Sequence, residues 1–240
     1  MAAVILSARG LTRHFGGLKA VDGVDFDLLK GEVHALIGPN GAGKTTFVSL
    51  LSGRTPARSG TITLAGQDIT RQPAHARVRA GIAYTFQITS IYPRLTAFDN
   101  AALAVQCQSP PNLHAATMAA LSRTGLADRA QQIAGTLSYG HQRLLEIAMG
   151  LALNPRVLIL DEPTQGLAAS EIEGFKTLIR ALPPATTVLL IEHNIEVVMD
   201  LADRITVLDF GRRLATGTPA EIRANPAVQA AYLGTPHAAA

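Results

Sequence analysis

Apolar positions along this chain cluster in short, bounded runs at residues 24–28, 33–37, 61–64, 82–84, 157–160, 187–191 and 205–208. Each is strand-sized, and several are followed by stretches with helical spacing. That alternation predicts an α/β fold around a central, partly parallel sheet. The first third holds more short runs and turn residues, including Ala65-Gly66-Gln67-Asp68, so an antiparallel sheet is expected beside the core. Between Thr96 and Leu153 the strand pattern stops, and Ala-rich helical patterns broken at Ser109-Pro110-Pro111 and at Gly125 replace it. The expected organisation is one domain over residues 1–240, with residues 1–91 and 154–240 forming the core and its β subdomain, and residues 92–153 an inserted helical subdomain.

Composition narrows this in three ways. Charged residues are 16% and apolar residues 48%, against roughly 25% charged in typical soluble chains, so other subunits are expected to cover part of the surface. No apolar stretch approaches the roughly 18 residues that span a bilayer, and the run from Met1 to Ser7 lacks the basic leader of a signal peptide. A single cysteine, Cys107, excludes an internal disulfide and fits a reducing compartment. The isoelectric point near 9.3 suggests nucleic acid, but the net charge is only +3, the basic residues are scattered and there is no Trp; no nucleic-acid partner is expected.

The chemistry starts at Gly38-Pro39-Asn40-Gly41-Ala42-Gly43-Lys44-Thr45-Thr46. Gly, four residues, then Gly-Lys-Thr is a phosphate-binding loop, in which glycines let backbone N–H groups turn towards phosphate oxygens. The run at 33–37 before it reads as a buried strand, and the residues from Thr45 read as a helix ending near Gly53. A strand, a glycine loop and a helix N-terminus together make an anion site. Lys44 is expected to hold β- and γ-phosphates, and the Thr45 hydroxyl to bind Mg²⁺. The run at 157–160 ends in Asp161 and Glu162, about 115 residues later. Asp161 suits Mg²⁺, and Glu162 is placed to orient and deprotonate water. His193 follows the run at 187–191; it is either a structural histidine or a contact to the γ-phosphate. Gln87, after a short strand, is either an ordinary loop amide or a group that reaches Mg²⁺ or water and reports nucleotide state to the helices.

This loop, Gln87, Leu137-Ser138-Tyr139-Gly140-His141-Gln142, Leu160-Asp161-Glu162-Pro163 and His193 together resemble the ATP-binding cassette ATPases of ABC transporters over nearly the whole chain. Finer features are similar to the ATP-binding subunits of bacterial branched-chain amino-acid importers and their amide and urea relatives. These are Phe15-Gly16-Gly17-Leu18, Thr85-Phe86-Gln87, Tyr139, and the ending from Gly217-Thr218-Pro219 to Tyr232-Leu233-Gly234.

The resemblance implies a P-loop NTPase fold with a RecA-like core, and it implies ATP and Mg²⁺ as cofactors. It aligns Phe15 with an aromatic that stacks on adenine, and Ser138 and Gly140 with residues that bind the γ-phosphate of ATP held by an opposite cassette. Two membrane-spanning permease subunits, a second cassette (a paralogue, or a second copy) and, indirectly, a periplasmic substrate-binding protein are the implied partners. The implied location is peripheral, on the cytoplasmic face of the bacterial inner membrane, with residues 88–96 as the docking surface. Two positions depart from the family pattern: His141 stands where the signature has Gln, and Ala168 where the superfamily usually has Asp. The alternatives are the motor of an exporter such as one moving lipopolysaccharide, a soluble ABC ATPase outside transport, or a nucleotide sensor without hydrolysis.

Overall fold

The structure is a computed structural model that describes residues 3–85, 90–182 and 185–233. Two sheets form it. The smaller is antiparallel, with strand order β2-β1-β4-β5, and is built from β1 (Val4–Phe15), β2 (Leu18–Leu29), β4 (Ser59–Leu64) and β5 (Gln67–Asp68). The larger has order β10-β9-β3-β8-β7-β6, from β3 (Val33–Ile37), β6 (Ile82–Thr85), β7 (Val157–Asp161), β8 (Thr187–Ile191), β9 (Arg204–Asp209) and β10 (Arg212–Gly217). Neighbours from β9 to β6 are parallel, and β10 is antiparallel to β9.

Alternating residues of the central strands serve two different cores, the reason these strands are apolar throughout. Val157, Ile159, Leu189 and Ile191 face helix α1 (Lys44–Leu51) and the smaller sheet, packing with Phe47, Leu50, Leu6 and Leu11. Leu158, Leu160, Val188 and Leu190 face the opposite side, where α5 (Tyr139–Ala152), α6 (Ala169–Arg180) and α7 (Ile195–Leu201) bring Ile147, Leu151, Phe175, Ile179 and Val197. Helices α8 (Pro219–Ala224) and α9 (Pro226–Val228), with the π-helical turn Gln229–Leu233, close the β9 end; Ile222 and Val228 are buried there against Ile205 and Val207.

Helix α2 (Ala74–Ala80) precedes β6. Between β6 and β7 the chain is helical: α3 (Ala97–Gln106), α4 (Leu113–Arg123) and α5 share a core of Ala101, Leu121, Leu126, Leu137 and Leu145. Each of the three starts on a side-chain cap. Thr96 and Asp99 form a reciprocal capping box, Asn112 accepts from the Ala115 N–H, and Ser138 accepts from the His141 N–H.

All seven expected strands are present, but the first third differs in scale. Beside the short strands β3, β4 and β5 it holds two of 12 residues each. In β1 the pairing register slips between Ala8 and Leu11, so Leu6 and Ala8 on one side of the slip and Leu11 on the other all stay buried. That bulge breaks the period-2 pattern that would have marked a long strand. Strand β10, an edge with no buried residue, carries no apolar pattern either.

Candidate active site

Loop 38–43 is wedged between two strands, which is why glycine is required where it stands. A Cβ on Gly38 would overlap the Leu208 carbonyl oxygen of β9, and one on Gly43 the Ala20 carbonyl oxygen of β2. Gly43 also has φ +96°, a conformation disfavoured for any residue with a Cβ. The loop leads into α1, whose first residue, Lys44, is only 6% exposed. Its ammonium donates to the carbonyl oxygens of Gly38 (2.7 Å) and Pro39 (3.0 Å). Burial pulls the Lys44 pKa below the ordinary lysine value, while the nearby Glu162 and Asp161 carboxylates pull the other way.

A cleft of about 330 Å³ opens over this loop, lined by Asn40 to Thr46, Leu18, Glu162 and His193. The parallel strands β3, β8 and β7 are neighbours in the sheet, so the loops after them meet at one edge. Glu162 sits just past β7 with φ +49°, held there by its own N–H to the Ile191 carbonyl (2.9 Å) and by the Arg143 guanidinium donating to its carbonyl (3.0 Å). Its Oε1 is 2.7 Å from His193 Nε2.

Asp161, the last residue of β7, is 2% exposed and accepts from the Tyr84 hydroxyl at 2.5 Å. Burial raises its pKa above the usual carboxylate range; the Glu162 charge adds to the rise, and the Tyr84 hydrogen bond opposes it. Thr45 is exposed in the cleft over the glycine loop, whose lining does not include Asp161. A hydroxyl and one carboxylate are hard oxygen donors suited to Mg²⁺, which keeps waters and substrate phosphates as its remaining ligands.

Phe15 lies at the β1–β2 turn, 47% exposed, with the Arg13 guanidinium 4.8 Å from the centre of its ring. Ser138 is exposed at the start of α5, its hydroxyl 2.8 Å from His141 Nδ1, so the residue that departs from the signature bonds the signature serine. Gly140 is buried against α6: a Cβ there would overlap the Glu171 carboxylate. Ser138 and Gly140 do not line the cleft of Lys44 and Glu162. Gln87 and residues 88 and 89 of the expected docking surface lie outside the described residues, as does Gly234.

Four residues escaped the sequence reading. Tyr84 holds Asp161. Arg143 pairs with Glu146 at 3.0 Å, both buried, and Glu146 Oε1 accepts from the Ser90 N–H at 3.4 Å. Glu192, 3% exposed, binds the loops on either side of it. An acid at the end of an apolar strand was the only signal for Glu192, and an arginine and acid three apart on one helix for Arg143 and Glu146.

Comparison with known proteins adds to this geometry. A family model described as "ABC transporter" matches residues 21–165, and one described as "Branched-chain amino acid ATP-binding cassette transporter" matches residues 212–238. The chain is 40% identical to the high-affinity branched-chain amino acid transport ATP-binding protein BraF of Pseudomonas aeruginosa, over 98% of this chain and 99% of that one. It is likewise 40% identical, with the same coverage, to the protein LivG of the same description from Escherichia coli K12. Among solved structures, an ATP-binding cassette of an ABC transporter in its ADP conformation superposes with a TM-score of 0.86 at 27% identity, covering 97% of this chain and 99% of that one.

Proposed function

Since this chain belongs to the ABC transporter family as an ATP-binding cassette ATPase, we propose that it powers a membrane importer for branched-chain amino acids or related small solutes such as amides and urea. The substrate class rests on the 40% identity to BraF and LivG and on the match of residues 212–238. The observation that carries the chemistry is the single cleft holding the glycine loop, Lys44, Glu162 and His193.

In this reading the N–H groups of loop 38–43 and the α1 N-terminus cradle the phosphates, and Phe15 stacks on adenine. The Lys44 ammonium leaves its carbonyl partners for the β- and γ-oxygens. Mg²⁺ held by the Thr45 hydroxyl and the Asp161 carboxylate, with Gln87, would neutralise charge developing on those oxygens. Glu162 orients the attacking water and takes its proton. When ATP binds, His193 Nε2 leaves Glu162 Oε1, its partner at 2.7 Å, and donates to the γ-phosphate.

Ser138 and Gly140, away from this cleft, serve the ATP of a second cassette, a paralogue or another copy. Residues 92–153 act as the helical subdomain that moves with them. The membrane-spanning permeases dock beside this block, on residues 88–96 and on a groove of about 260 Å³ whose walls include Val78, Ala104, Met149 and Leu153. No helix among the described residues is long and apolar enough to cross a membrane, so membrane attachment runs through those partners, on the cytoplasmic face.

Glu162→Gln is the test. The amide keeps the shape but cannot take a proton, so ATP affinity should stay within a few fold while turnover falls by roughly 10²–10⁴-fold. Unchanged hydrolysis would remove Glu162 from the role of base.

A further inference from the structure

The loops after β7 and β8 are tied together by one buried side chain. Glu192 Oε1 accepts from the Thr164 N–H at 2.8 Å and from the Thr164 hydroxyl at 2.6 Å. Its Oε2 accepts from the His193 N–H at 3.0 Å and the Asn194 N–H at 3.3 Å. One carboxylate thus takes four donors, two from each loop, at 3% exposure. In such a place a charge persists only because it is hydrogen-bonded, and the bonds it makes are short and strong.

We propose that Glu192 is a positioning residue: it clasps the loop that begins with Glu162 to the loop that carries His193, and so couples the segment Thr164 to Ala168 to the His193 contact. The inference rests on the ATPase reading above.

The argument is geometric. Glu162 and His193 meet at 2.7 Å through side chains on two different loops. The sheet registers those loops only up to Asp161 paired with Ile191, plus the Glu162 N–H to the Ile191 carbonyl. Beyond that point the His193 backbone is held by Oε2 and the Thr164 backbone by Oε1 of the same carboxylate. A displacement of Thr164 therefore reaches the His193 peptide through the two C–O bonds of one rigid planar carboxylate.

Thr164 opens the segment Gln165-Gly166-Leu167-Ala168, and a Cβ added at Gly166 would lie 3.1 Å from the ring of Tyr139, which follows Ser138. Movement at the signature face is thereby mechanically continuous with His193. The Asn194 end of the clasp also caps α7: the Asn194 side chain accepts from the Glu196 and Val197 N–H groups. From behind, Tyr232 of the C-terminal segment packs on the same α7 cluster, next to Ile195 and Val198. Burial, and then the Glu192 charge, push its hydroxyl pKa up.

The experiment compares full-length wild type, Glu192→Gln, Thr164→Val, their double variant and Glu162→Gln for ATP affinity, melting temperature, and steady-state kcat and KM. A Gln at 192 turns one acceptor oxygen into an amide donor facing donors. The expected result is a kcat about 10–100-fold lower with KM and ATP affinity within threefold. Thr164→Val, which loses one hydroxyl, should lower kcat about 3–10-fold. The double variant should be no slower than Glu192→Gln, because both changes break one clasp.

Wild-type turnover within twofold in Glu192→Gln, or a change in KM alone, overturns the clasp. Should Glu192→Gln melt too early to assay, Thr164→Val decides: an unchanged kcat there overturns it. Failure of the ATPase reading looks different, since it appears as wild type that does not hydrolyse ATP, while Glu162→Gln hydrolysing like wild type removes only the role of Glu162 as base.

Discussion

Arg143 and Glu146 make a prediction that the structure lets us size. Arg143 is 2% exposed and Glu146 6% exposed. The guanidinium donates to Glu146 Oε2 at 3.0 Å and to the Glu162 carbonyl at 3.0 Å. Arg143→Met keeps most of the side-chain volume but leaves the Glu146 carboxylate buried without its cation. Breaking a buried pair from one side costs about 3–5 kcal/mol. For a chain of this size each kcal/mol is about 2–4 °C in Tm, so a drop of roughly 6–20 °C is expected.

Glu146→Leu should cost a similar amount, because it removes the buried carboxylate that pairs with the guanidinium. The double variant removes both charges and restores an apolar interior, so its cost should fall to about 0–2 kcal/mol, with a coupling energy of several kcal/mol between the two positions. Urea unfolding and calorimetry of the four proteins measure this directly. The ATPase rate gives a second reading: variants without Arg143 lose the anchor on Glu162, so the double variant recovers stability but stays slow. Single variants within about 1 kcal/mol of wild type, or costs that simply add, would refute the reasoning.

Gly43→Ala puts a Cβ on the Ala20 carbonyl oxygen at φ +96°, so ATP affinity measured by calorimetry should fall at least about 100-fold. Tyr84→Phe removes the hydroxyl on Asp161; a charge-assisted bond of about 1.5–3 kcal/mol corresponds to roughly 10–100-fold, so the Mg²⁺ concentration for half-maximal turnover should rise about tenfold or more, and an unchanged Mg²⁺ curve would count against Tyr84. His34 is fully buried between Glu32 Oε1 (3.0 Å) and the Thr206 hydroxyl (2.8 Å), and burial lowers its pKa despite the opposing Glu32. The unfolded chain therefore binds a proton near pH 6.5 that the folded one refuses, so its stabilising contribution is present above that pH and lost below it, by up to about 1.4 kcal/mol per pH unit. Urea midpoints from pH 7.5 to 5.5 should fall more steeply for wild type than for His34→Gln.

The legible parts of this molecule were those written in contiguous residues. Loop 38–46 with its flanking strand and helix, and Asp161-Glu162 after 157–160, stood out by local spacing; spacing alone left His193 after 187–191 open between a structural and a phosphate-contacting histidine, and the parallel core brings these loops to one edge. What stayed hidden depends on pairings between distant positions. Tyr84 meets Asp161 across 77 positions, and Glu192 meets Thr164 across 28. No pattern within either segment points to the other. Strand β1 was hidden for a different reason: its bulge after Ala8 reverses the inward parity, so Leu6, Ala8 and Leu11 do not alternate. His141 was legible as a departure, but its bond to Ser138 was not.

The helical block enters from Thr85 at the end of β6 and returns at Val157 at the start of β7, and these two strands are hydrogen-bonded neighbours, with Ile82 opposite Val157. Strand geometry then puts the two ends about 11 Å apart. A module spliced into a host through ends so close can be lengthened, shortened or exchanged while the host sheet keeps every hydrogen bond it has. For evolution, the helical insertion can diverge on its own schedule, while the strands that lead to Glu162 and His193 stay as they are. For the engineer, a graft of residues 92–153 from a relative has to keep Ile147 and Leu151 of α5, which pack on the sheet, and Arg143, which holds the Glu162 carbonyl.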